Sequence, residues 1–418
     1  MSNGKRSAVV GGVVSIAILG GFVLAGGTDI AGESRYASGD TVALEQTAHG
    51  AGSNASRNDT DSQAEPAGVI NAKGYTSSHI CGACHVDIYS SWKNSLHAFS
   101  LSDPVFDAAY MQAIKESGEE ARRLCLRCHA PLTIVNEDYY LSEGVTREGV
   151  TCDFCHTITE VHLDNPEMPF SVDVGLVKRG VLRRAYSDFH DVAYSELHES
   201  SDLCGGCHDY ESPNGTLIMS TYDEWKRGPY AREGIQCQNC HMVRTVGKVV
   251  SPDVKMTEAE YIHQHNFIRD ADQLRSALAV SIFNAERMGW GLLVEVLIEN
   301  VASGHMVPTG IPSREIVLTV AVQVGERTAT QERRYRKVIA DKEDRVLTRD
   351  FELMLRGSKI VSDNRIRPRE QRIERFSFPS PGSGKIKVKA AVTYEFAPMV
   401  LGQREINVEI GTAERFVR

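Results

Sequence analysis

From about Leu274 to the C-terminus, apolar and polar positions alternate or fall into β-branched runs. The segments Ala277–Phe283, Leu292–Val301, Ile316–Val324, Arg345–Leu355, Arg372–Phe378, Lys385–Tyr394 and Glu405–Ile410 predict short strands. Lys385-Ile386-Lys387-Val388-Lys389 alternates strictly, so one face is wet and the other buried. Gly, Pro and Asp separate the segments, and residues 271–418 are expected to form an antiparallel β-sandwich of Ig-like type.

Upstream the pattern is different. Residues 73–270 hold modest, irregular helical stretches; the clearest is Pro104 to Gly118, with Asp103 as N-cap and proline in the first turn. Sustained amphipathic patterns are scarce for a region of this size, so something besides side chains must fill its core. The fold class expected is α+β, an irregular and mostly helical region followed by the all-β sandwich.

At the N-terminus, Lys5 and Arg6 precede an uncharged run of 18 residues, Ala8 to Ala25. This predicts export through residues 1–27, either as a signal peptide cleaved near Val23-Leu24-Ala25 or as a retained membrane anchor. Residues 28–72 are rich in Gly, Ser, Ala, Asn, Asp and Thr and read as a disordered tether, spanning roughly 40 Å as a flexible coil.

A formal charge of −9 argues against nucleic acid as a partner. The charge is uneven. Residues 271–418 carry 24 Lys/Arg against 19 Asp/Glu, and residues 1–270 carry 22 against 36. This asymmetry points either to docking of a charged partner or to one region packing on the other.

All ten cysteines fall in five Cys-x-x-Cys-His units: Cys81/Cys84/His85, Cys125/Cys128/His129, Cys152/Cys155/His156, Cys204/Cys207/His208 and Cys237/Cys240/His241. Two thiols at this spacing add to the two vinyl groups of one haem, and the adjacent histidine lies beneath the iron. Zinc ribbons pair such units and do not require a histidine in each; a thioredoxin-like site needs one unit; structural disulfides leave the histidines unexplained. The cofactors expected are therefore five covalently bound c-type haems. First cysteines are spaced by 44, 27, 52 and 33 residues, which argues against a simple tandem repeat. Five macrocycles in a body with a radius of gyration of about 16 Å cannot be isolated from one another, and they supply the missing core.

Each iron needs a distal ligand or keeps an open position, which separates a carrier from an enzyme. Nine histidines lie outside the motifs, and His49 falls in the tether. The distal candidates are His97, His162, His198, His265 and His305, with His79, His190 and His263 as alternates. Met242 and Met306 are alternatives of another kind, but histidine supply favours bis-His coordination.

Two groups of segments carry a family resemblance. Tyr75-Thr-Ser-Ser-His79-Ile-Cys81, Cys84-His85, Tyr89, Trp92, Ser95 and His97-Ala98 resemble the opening of multihaem cytochromes related to the tetrahaem electron acceptor of ammonia-oxidising bacteria. Asn300-Val-Ala-Ser-Gly304-His305-Met-Val-Pro308-Thr309-Gly310 with Arg314, and Asp363-Asn-Arg-Ile366-Arg-Pro368-Arg-Glu370 before Phe376 and Phe378, are similar to segments of larger multihaem cytochromes of metal-reducing bacteria and archaea. The resemblance runs in outline over residues 74–400. It implies closely stacked, mostly bis-His haems and a carrier role; some relatives form extracellular filaments, and in the tetrahaem relative one haem lacks a strong distal ligand. Five motifs and an added β region depart from that relative.

The function expected is electron transfer between redox partner proteins outside the cytoplasm, in the periplasm or at the cell surface, with tethering to the membrane through the N-terminal segment. An enzyme acting on a small nitrogen or sulfur compound at one open haem is the competing reading. Pentahaem nitrite reductases often carry lysine in place of one proximal histidine, and all five motifs here end in histidine. A filament-forming or oligomeric cytochrome and a membrane quinol dehydrogenase are further alternatives.

Overall fold

A computed structural model describes residues 70–254, 261–267, 271–379, 382–396 and 406–417. The segment 1–27 and nearly all of 28–72 lie outside the described residues, as does His49. Among the described residues no helix is long and apolar enough to cross a membrane.

The C-terminal region is a two-sheet antiparallel sandwich. Its strands are β1 (Leu278–Met288), β2 (Gly291–Asn300), β3 (Arg314–Val324), β4 (Arg327–Tyr335), β5 (Gln371–Pro379), β6 (Ile386–Phe396) and β7 (Ile406–Val417). One sheet has the order β5-β2-β1 and the other β4-β3-β6-β7, a connectivity of Ig-like type. Period-two patterning sets the core. In β6, Ile386, Val388, Ala390, Val392, Tyr394 and Phe396 are buried while the residues between them are not. They meet Leu292, Val294, Val296 and Ile298 of β2 and Phe376 and Phe378 of β5 in one cluster.

One strand expectation is corrected. Residues 345–355 do not form a strand: Asp350–Arg356 is a helix. Phe351 and Leu355 pack with Ala113 and Ala121, and Arg349 and Arg356 bracket Glu352 at helical spacing. Conversely, β4 was not anticipated. It is an edge strand whose side chains are almost all exposed and polar or charged, so it carries no alternation, and the charges of Arg327, Glu332, Arg333 and Arg334 suit an edge that must not pair further.

The N-terminal region is irregular, as its weak periodicity implied. Its longest helix is Pro104–His129, capped by Asp103 Oδ1, which accepts from Val105 N and Phe106 N, both at 2.9 Å. Gly118 interrupts it with φ 58°, a left-handed conformation open to glycine. Between the short helices lie small two-stranded ribbons, among them 158–161 with 170–172 and 244–246 with 261–263.

The acidic and basic regions pack on each other. Arg356 meets Glu116 at 2.7 Å, Arg365 meets Glu224 at 2.7 Å, and Arg369 meets Glu233 at 2.5 Å. The sandwich arginines on the outer face are largely neutralised within it: Arg334 and Arg336 by Glu315, Arg372 by Glu370, and Arg375 by Glu295.

Candidate functional site

Four of the five motifs fold as a short helix or the end of one: Cys125–His129 closes the Pro104–His129 helix, and Cys152–Thr157, Asp202–His208 and Cys237–His241 hold the next three. Helical geometry puts residues i, i+3 and i+4 on one face, so both thiols and the histidine of a motif point the same way. Local caps hold these turns: Thr151 Oγ1 accepts from Phe154 N at 3.0 Å, and Gln236 and Asn239 form a reciprocal capping box. The first motif begins in the helix Ser78–Gly82, and its His85 stands just before the next helix, Val86–Trp92. None of the cysteines is in a disulfide.

The motif histidines face other histidines. Ring centroids lie 6.2 Å apart for His85 and His190, 6.3 Å for His208 and His97, 6.3 Å for His156 and His265, and 6.4 Å for His241 and His305. Metal–imidazole bonds of about 2.0–2.1 Å on either side of one ion, plus the ring radius at both ends, require a separation of roughly 6.3 Å. The spacing fits an iron held between two imidazoles.

Tautomers agree with that arrangement. A carbonyl accepts, so the ring nitrogen facing it carries the proton. Nδ1–H of His85 donates to the Val249 carbonyl (2.7 Å), of His190 to Asp191 (2.9 Å), of His265 to His263 (2.7 Å) and of His305 to Met306 (2.9 Å). His156 donates likewise to Arg179 and His129 to Ser100 (2.6 Å). Each Nε2 is thereby left with its lone pair, the form that binds a metal. Burial favours the neutral form of the buried rings, pushing His97 down to about 3 and His129, His241 and His265 down to about 4.

His129 differs. Phe106 stacks on its face at 3.6 Å and 9°, Tyr110 stacks in turn on Phe106 at 5.4 Å, and no histidine ring among the described residues is paired with it. A ring lying on the imidazole face orients it without occupying the direction in which Nε2 points.

Of the distal candidates, His97, His265 and His305 each face a motif histidine. His162 does not; its Nε2 meets Ser171 Oγ at 2.8 Å and its side chain is 39% exposed. His198 lies 5.5 Å from His156, but its Nε2–H donates to the Cys155 carbonyl (3.0 Å) and its Nδ1 accepts from Ser195 Oγ (2.9 Å), so both nitrogens are engaged. Among the alternates, His190 stands opposite His85. His79 is edge-on to Tyr89, and His263 donates from Nδ1 to the Met242 carbonyl. His190 is 105 residues from His85 with no local signal, so only the fold brings it to the fore.

Motifs also touch one another. The thiols of Cys81 and Cys152 lie close enough to shift each other's titration, as do those of Cys128 and Cys207 and those of Cys204 and Cys237. The fourth motif thus touches the second through Cys207 and the fifth through Cys204. It packs closely because it carries glycines: a Cβ on Gly206 would stand 2.4 Å from Phe170 Cζ.

Two buried guanidinium nitrogens have no protein acceptor, although each side chain bonds through another nitrogen. They are Arg314 Nε, in a side chain whose charge acts on His208, and Arg179 Nη1, on the residue whose carbonyl holds His156. Orphaned donors beside motif histidines suit the propionates of a haem. The paired imidazoles, the clustered thiols and these donors together fit the group that the motifs imply.

The arrangement suits covalently bound c-type haem, and the comparisons point the same way. Residues 80–157 match the family described as cytochrome c554 and c-prime. The fold matches the crystal structure of a penta-heme cytochrome c552 from Thermochromatium tepidum with a TM-score of 0.66 and 21% identity, covering 82% of this chain and 99% of that one. Comparison with curated protein sequences gives no match.

Proposed function

We propose that this chain is an extracytoplasmic electron carrier with one haem on each of its five motifs, passing electrons between redox partner proteins. The observation that carries the proposal is the set of four facing histidine pairs at 6.2–6.4 Å. Haem c supplies one-electron ferric/ferrous chemistry when bound. In this reading each cysteine pair would bind one haem through two thioether bonds, His85, His129, His156, His208 and His241 would each hold the iron of their own motif, and His190, His265, His97 and His305 would be the second ligands for the irons held by His85, His156, His208 and His241. His162 and His198 take no iron. Imidazoles fixed through Nδ1, as at His85, His156, His190, His265 and His305, would keep their orientation in both oxidation states, so little rearrangement opposes electron transfer. The sulfur contacts between motifs place the attachment points side by side, which supports a continuous conducting path. Residues 1–27 export the chain or anchor it, 28–72 tether it, 73–270 form the haem-bearing domain and 271–418 the sandwich. A haem count by intact mass, with electron paramagnetic resonance of the oxidised protein, tests this: five haems with at least four low-spin irons are expected, and several high-spin irons would overturn it.

The unpaired His129 supports a second activity on the same chain, binding of a small ligand such as a nitrogen or sulfur compound at the second motif. Uptake of one cyanide or nitric oxide per chain tests it.

A further inference from the structure

We propose that Glu224 is the positioning residue for His305, with Arg365 as its counter-charge, so that one buried carboxylate sets the sixth ligand of the fifth motif. The inference rests on the assignment of His305 as that ligand.

Glu224 lies on the helix Thr221–Lys226 of the haem-bearing region, and its side chain is 3% exposed. Every lone-pair direction it presents is used. Oε1 accepts from Ser220 Oγ (2.7 Å) and pairs with Arg365 Nη1 (2.7 Å); Oε2 accepts from the Met306 backbone N–H (3.1 Å) and from Thr309 Oγ1 (2.8 Å). The carboxylate thus grips the loop that carries His305 at the next residue. The carbonyl of that residue, Met306, accepts from His305 Nδ1 (2.9 Å), while Asn300 Nδ2 donates to the His305 carbonyl (3.0 Å). Two links therefore join Glu224 to the orientation of the imidazole.

Arg365 completes the grip from the sandwich side. Its side chain is 4% exposed; Nη2 pairs with Asp363 (2.8 Å), and Nη1 donates to the Pro308 carbonyl (3.1 Å). The two segments lie against each other as well: Val307 N–H donates to the Ile366 carbonyl (2.9 Å) and Ile366 N–H to the Val307 carbonyl (3.0 Å). A buried ion pair adds little net stability over apolar residues of similar size, and its best-attested use is to fix register. Here the register fixed is that of a ligand-bearing loop on a neighbouring region, which explains why a charge is retained in a site that apolar side chains can fill.

The test uses the full haem-loaded chain. The double variant E224L/R365M replaces the pair by apolar side chains and leaves no charge unpaired, a change folds commonly tolerate. Expected is one further high-spin ferric iron per chain in electron paramagnetic resonance, returned to low spin by added imidazole, with haem count and circular dichroism unchanged. E224Q retains an oxygen for the Met306 N–H and is expected to keep the wild-type spin state. No new high-spin iron in the folded double variant, or as much in E224Q as in the double variant, overturns the proposal. H305A separates the two levels of inference: if H305A adds no high-spin iron, the ligand assignment itself fails.

Discussion

His97 and His208 are 111 residues apart in the chain, yet their imidazoles face each other with centroids 6.3 Å apart. His97 follows the second short helix, and His208 ends the fourth motif. Removing His97 is expected to turn one iron from low to high spin with the haem count unchanged. H97M is expected to raise one midpoint potential, since His/Met ligation favours the reduced iron more than His/His does. Spectroelectrochemical titration checks both; an H97A spectrum identical to wild type would remove this pair.

The two histidines with engaged nitrogens give the opposite expectation. H162A and H198A should leave every iron in its wild-type spin state, because neither Nε2 is available in this fold. Resonance Raman of the oxidised variants decides the matter, and a new high-spin marker in either would reverse the assignment.

Packing at the fourth motif predicts sensitivity to a single methyl group. G206A drives a Cβ to 2.4 Å from the Phe170 ring, which is itself buried against Phe154. Overpacking of this kind costs about 1–3 kcal/mol. The denaturation midpoint of the haem-loaded chain should fall accordingly, and F170L in the same chain should recover part of the loss.

Lys337 provides a pH dependence. It is 4% exposed, and its Nζ donates to Ser220 Oγ (2.8 Å) and the Ile218 carbonyl (3.2 Å). Burial pushes its pKa from 10.5 down to about 8; nearby Arg365 lowers it further, while Glu224, Asp363 and Asp209 oppose the fall. Between pH 8 and 10.5 the unfolded chain therefore binds more protons here than the folded one, so stability rises with pH across that window. Relative to K337M, the wild type should gain about 3 kcal/mol from below pH 8 to above pH 10.5. Urea denaturation at several pH values measures the difference, and a flat difference would sink the idea.

What the sequence disclosed follows from which interactions are local. The Cys-x-x-Cys-His units and the cap at Asp103 are written within five residues, and strands such as Ile386–Phe396 declare their buried face by alternation. The charge asymmetry also had a readable meaning, since Arg356, Arg365 and Arg369 meet Glu116, Glu224 and Glu233. Long-range pairing was not legible: nothing near His190 distinguishes it from His198, because the difference lies in which backbone carbonyl each ring meets. Strand β4 hid for a different reason, having almost no buried face to leave a pattern, and Asp350–Arg356 is helical because of partners far away in sequence.

The sulfur contacts between motifs bear on how the protein is made. Cys81 with Cys152, Cys128 with Cys207 and Cys204 with Cys237 are thiols from different motifs held against one another. In an oxidising compartment such neighbours are ready partners for mispaired disulfides. If haem attachment lagged behind closure of the fold, these thiols would be placed to cross-link, so each thioether formed removes one competing disulfide.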